Sequence, residues 1–200
     1  MSPSTASTTA STTARPKRAD AQRNSEAVLE AAKAAFAEFG VDAPMRDIAA
    51  RAGVGVGTIY RNYPLRSDLI IAVFRREVDA TAAEADRLAA EHPAPQALRL
   101  WAARLARFVA TKQGFAGALH SGDPAYDPLP VYFVGTLAPR VQSILDAGER
   151  EGTIRAGIRA EDLIFALSRL ADTSHAGGAA DATNPMVDVL LDGLRPPSAD

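Results

Sequence analysis

Three glycines at alternate positions, Gly53, Gly55 and Gly57, interrupt an otherwise helical pattern and restrict the possible folds more than any other feature. Ahead of them, Val28, Leu29, Ala32, Ala35, Phe36 and Phe39 recur at the spacing of one helix face, so residues 19–39 read as a helix. Gly40 follows where a left-handed cap is expected. Asp42, Ala43 and Pro44 open a second, shorter helix with Pro44 in its first turn and Ile48, Ala49 and Ala52 on its apolar side. The glycine run is then followed by a third short helix, Val56 to Asn62, which Pro64 ends. Two short helices joined by a tight glycine turn make a helix-turn-helix.

From Arg66 onward the pattern is longer. Residues 66–90 read as one helix with Leu69, Ile70, Val73, Phe74 and Val78 on one face and Glu77, Asp79, Glu84, Asp86 and Arg87 toward solvent. Further helices are predicted over 96–112, near 115–120, over 131–150, and over 161–171 and 184–194, with Pro139 marking a kink or a helix start. No useful run of alternating apolar and polar residues occurs, so the predicted class is all-α. No apolar run approaches the roughly 18–20 residues that span a bilayer, so no membrane association is expected. Residues 1–14, rich in Ser, Thr and Ala, lack the apolar centre of a secretory signal and are expected to be disordered. With Arg15, Lys17 and Arg18 they form a tail and basic arm over 1–18.

Composition then separates function classes. The chain has no cysteine, which removes disulfides, Cys-ligated metals and a Cys nucleophile. His92, His120 and His175 are too far apart for a helical metal pair, and no Ser/His/acid or paired-carboxylate setting is recognisable. Neither a metal site, nor a cofactor, nor catalysis is expected. The glycine run follows a helix and lacks the Gly-Lys-Ser/Thr of a phosphate cradle. A net charge of -2 speaks against nucleic acid at first sight. Its distribution says otherwise: residues 1–66 carry nine basic and six acidic side chains, a balance of +3, and the remainder carries -5. Phosphate affinity depends on charge at the contact surface and not on the total.

The segment 40–69 resembles the DNA-binding domain of the tetracycline-repressor (TetR) family of bacterial transcriptional regulators. The likeness spans residues 20–70 and includes Ala32, Phe36 and Gly40, Ile48-Ala49, Ala52-Gly53-Val54, Gly57-Thr58-x-Tyr60, Tyr63, Arg66 and Leu69. It implies that Gly55 begins the recognition helix and that Val56, Thr58, Tyr60 and Arg61 face DNA, with Arg46, Tyr63 and Arg66 beside them. Arg61 suits a guanine edge or a phosphate, and the tyrosines can donate to phosphates. Arg66 replaces a usual Lys and stands where it and helix N–H groups can meet a phosphate. Bland readings stand beside these: Tyr63 as core, Arg46 and Arg51 as solvated charges, the 15–18 cluster as a plain tail. This chain departs from the family pattern at Gly55, at Leu65, where a capping Ser or Thr is usual, and at the start of the second helix.

The resemblance implies a helix-turn-helix DNA-binding domain over 19–66 and a helical effector-binding and dimerisation domain over 67–200. The last two helices, 161–171 and 184–194, would pair with their copies, giving a homodimer on a palindromic double-stranded operator. Trp101, Phe108, Phe115, His120, Tyr126, Tyr132, Phe133 and Phe165 are candidates for an effector pocket, with core packing the favoured reading of any single one. The expected function is a cytoplasmic DNA-binding regulator, a repressor released by an unidentified small molecule. The alternative is a small-molecule-binding or enzymatic all-α protein whose head no longer binds DNA.

Overall fold

A computed structural model describes residues 14–112, 121–171 and 184–196, the side chains within 20–109, 121–171 and 184–196. Among these residues there are helices and turns but no strand. In chain order they are α1 (Ala14–Phe39), α2 (Met45–Ala52), α3 (Val56–Asn62), α4 (Arg66–Glu91), α5 (Ala94–Lys112), a 3-10 turn (Pro124–Tyr126), α6 (Pro128–Arg150), α7 (Ala160–Ala171) and α8 (Pro185–Asp192).

The helix ends follow local chemistry. Gly40 and Gly53 close α1 and α2 with φ of +73° and +67°, a region that a Cβ makes costly. Pro44 is the cap ahead of α2 and not its first helical residue, with φ of −61° and an extended ψ. The Leu65 side chain cannot cap α4; instead the Asp68 carboxylate accepts the Leu65 N–H at 2.9 Å, half of a capping box. Helix α1 begins at Ala14, five residues before the expected start, so the cluster at 15–18 lies on helical backbone. Pro16 is compatible with this because a first turn needs no N–H partner there. Residues 1–13 lie outside the described residues, as does the short helix expected near 115–120. Pro139 neither starts nor ends α6, which continues through it.

Two apolar clusters organise the chain. The head cluster joins Val28, Ala32 and Phe36 of α1 to Ile48 and Ala49 of α2, Ile59 of α3, and Leu69, Ile70 and Val73 of α4. The body cluster starts at Phe74 and takes in Val78, Trp101, Leu105, Phe108, Leu137, Val141, Ile144, Ile164, Leu167 and Val187. Helix α4 therefore belongs to both, and the expected boundary at 66/67 falls where its first turns enter the head core. Tyr126 of the 3-10 turn packs against both clusters. Glu77, expected in solvent, is only 5 % exposed at this junction. A stripe shows which helix face is apolar, but not that a second helix crosses beside it.

Candidate nucleic-acid interface

Helix α3 is too short to stand alone, since nucleation outweighs what seven residues return. Ile59 is its one buried residue, fully enclosed in the head core, and anchors it. Truncating such a side chain to Ala costs about 2–5 kcal/mol. With Ile59 turned inward, Val56, Gly57, Tyr60 and Arg61 are exposed on the outer side. Tyr60 is 50 % and Val56 41 % accessible. The Arg61 Nη2 donates to Thr58 Oγ1 at 3.0 Å, which orders the guanidinium one turn from its Cα. Asn62 Nδ2 donates to the Thr58 carbonyl at 3.0 Å.

Gly55 caps α3 with an extended backbone and no side-chain hydrogen bond. Gly57 lies inside the helix without a positive φ, and a Cβ built there meets no atom within 4 Å. Neither backbone nor packing within the chain demands glycine at 57.

The flanking candidates divide. Arg46 projects into solvent, its side chain 84 % accessible and loosely paired with Asp47 at 3.6 Å. Tyr63 is half-buried against the head core, its hydroxyl 3.3 Å from Ser25 Oγ. Arg66 is also half-buried: Nη1 donates to the carbonyls of Val41 and Ala43 at 2.5 and 2.7 Å. It thereby ties the α1–α2 turn to the start of α4. Arg51 pairs with Glu38 at 2.7 Å and lies 5.4 Å from the Phe39 ring centre. The Arg66 tie escaped sequence reasoning. Its one available signal was the Arg itself, whose forked donors suit two adjacent acceptors better than an ammonium does.

The pocket candidates scatter differently. Trp101 is wholly buried and spends its indole N–H on the Thr81 carbonyl at 3.0 Å, so it offers no polar tip to a ligand. Phe108 meets Phe74 edge-on and stacks on Phe133, both with ring centres 5.6 Å apart. Tyr132 is half-buried, donates to Asp79 at 2.6 Å, and carries the Arg75 guanidinium 5.0 Å from its ring centre. The Asp79 hydrogen bond and burial hold its phenol above the ordinary tyrosine range. Phe165 is 54 % exposed on α7 and does not belong with these rings. Phe115 and His120 lie outside the described residues. A cavity of about 30 Å³ between Leu98, Ile154, Leu191 and Leu194 has room for a water and not for an organic ligand. Among the described residues no group of three potential metal ligands comes together, and no helix is long and apolar enough to cross a membrane.

Residues 28–73 match the family described as bacterial regulatory proteins, tetR family, and residues 93–196 match the C-terminal domain of SbtR-like transcriptional regulators. A TetR transcriptional regulator of Streptomyces coelicolor is 36% identical, with 87% of this chain and 99% of that one aligned at a TM-score of 0.72. A TetR regulatory protein of Mycobacterium vanbaalenii is 34% identical over 90% and 99% of the two chains, TM-score 0.70. The TetR-like regulator LfrR of Mycobacterium smegmatis, solved with proflavine, is 25% identical over 86% and 94%, TM-score 0.60. An HTH-type transcriptional regulator of Staphylococcus aureus is 40% identical over 63 residues, a span of only about a third of that protein's length.

Proposed function

The chain belongs to the tetR family of bacterial regulatory proteins, and from that membership we propose that it is a cytoplasmic homodimeric repressor whose grip on operator DNA is released by a small molecule. The observation that carries the reading is the outer side of α3. Val56, Tyr60 and Arg61 are exposed on a helix whose only buried side chain is Ile59. Such a helix presents an apolar group, a hydroxyl and a forked cation to a major groove. Arg46 adds an exposed charge suited to a flanking phosphate. Tyr63 and Arg66 are better suited to setting the angle of α3, because their polar atoms already have partners in the head.

The proposed dimer face is the outer side of α7 and α8, where Phe165, Met186 and Val189 are more than half exposed. Large apolar side chains gathered on adjacent helices are the mark of a protein interface. A two-fold axis there sets two copies of α3 on one side of a palindromic duplex. The proposed effector is small and largely apolar, and enters beside Phe74, Phe108 and Phe133, which form a ring cluster between α4, α5 and α6. LfrR, which was solved with proflavine, supports a small-molecule effector. An effector acts by favouring one separation of the two heads over another.

Fluorescence anisotropy against DNA flanking the chain's own gene tests the reading. Saturable binding that weakens steeply with added salt is expected. The absence of any such site there overturns it.

A further inference from the structure

Three helices meet at one buried carboxylate. Glu77 of α4 is 5 % exposed and stands just past Val73 and Phe74, where the head cluster gives way to the body cluster. Lys33 of α1 places Nζ 3.0 Å from Glu77 Oε2, and Arg104 of α5 places Nη2 3.5 Å from the same oxygen. The two cations come from opposite sides of the junction. The buried apolar residues of α1, Val28, Ala32, Phe36 and their neighbours, belong to the head cluster. Those of α5, among them Trp101, Leu105 and Phe108, belong to the body cluster. A second ion pair, Arg76 to Glu30 at 3.0 Å, crosses between α4 and α1 beside the first.

A carboxylate this enclosed requires cationic partners, because an unpaired buried charge is strongly disfavoured. Its hold on Lys33 therefore depends on how fully Arg104 satisfies it. Charge pairs also exchange partners over short displacements, whereas interdigitated apolar side chains resist them.

We propose that Lys33, Glu77 and Arg104 form a charge clamp that sets the orientation of the head on the body. A shift of α5 moves Arg104, changes the hold of Glu77 on Lys33, and is passed to α1 and the head. This rests on the regulatory reading above only for what sets α5 in motion.

The absence of cysteine makes the test direct. Ala50→Cys on α2 and Glu149→Cys on α6, both exposed, are spin-labelled in the full chain. Labelled chains are diluted into excess unlabelled chains, and the label separation is measured by pulsed electron resonance without DNA or effector. A single narrow distribution is expected with the clamp intact. Lys33→Met is expected to lose it while keeping native helicity, because Arg104 still covers Glu77, and Lys33→Arg to restore it. A narrow, unshifted distribution in Lys33→Met overturns the proposal, as does a failure of Lys33→Arg to restore it. If Lys33→Met does not fold, Arg104→Met cuts the body side and is read the same way; failure of both to fold also overturns it. No DNA is present, so the outcome is independent of whether an operator is found.

Discussion

Substituting Gly57 by Ala should move stability and DNA binding in opposite directions. Glycine in a helix is about 0.5–1 kcal/mol less favourable than alanine, because it loses more backbone freedom on folding. Gly57 lies in the first turn of α3, so the lower half of that range applies. An added Cβ finds nothing within 4 Å, so no clash offsets the gain. For a chain of this size the melting temperature should rise by about 1–3 °C. If α3 lies in a major groove, however, the bare backbone at 57 is where DNA comes nearest, and a methyl group there keeps the helix away. Operator affinity should then fall at least about tenfold, a loss of some 1.4 kcal/mol. Thermal unfolding and anisotropy titration on the same preparation read both quantities. A variant that gains stability and binds unchanged refutes the placement of α3 against DNA at this residue. A variant that loses stability refutes the account of its surroundings.

Tyr60→Ala and Arg61→Ala should each weaken operator binding by about 1–3 kcal/mol with unfolding curves unchanged; equal affinity in both would remove them from the interface. Arg66→Met should lower stability by about 1–3 kcal/mol through loss of its two carbonyl partners, and Arg66→Lys by less, as read from urea midpoints. Phe165→Asp should convert a dimer to monomers in sedimentation velocity, and a dimer that survives places the interface elsewhere. The raised phenol of Tyr132 keeps its proton longer in the folded state than in the unfolded chain. Its contribution is full below about pH 10 and is lost as pH rises through the raised value, so Tyr132→Phe should flatten the fall in urea midpoint as pH rises above about 10.

Much of the head is legible in the sequence. Each of its helix ends carries its own signal, as at Gly40 and Gly53. The inward turn of Ile59 follows from the same short-range pattern, since the next helices supply the apolar cover. Side chains with two plausible uses were not legible. Tyr63 and Arg66 have the chemistry of phosphate donors, and the same donors serve a neighbouring turn equally well. The aromatic residues of the body were ambiguous for a related reason. Trp101 and Phe165 look alike in a stripe, yet one is sealed inside and the other half exposed.

The sequence alone determined the helical class, the helix-turn-helix and the face of each helix that must be covered, because periodicity and capping are local properties of the backbone. Tertiary structure decided which element does the covering. It set Glu77 between Lys33 and Arg104, gave Arg66 to the α1–α2 turn, and left Phe165 outside. Such partners are separated by tens of residues, and the physical reason they meet is the crossing of helices in space, which no spacing along the chain records.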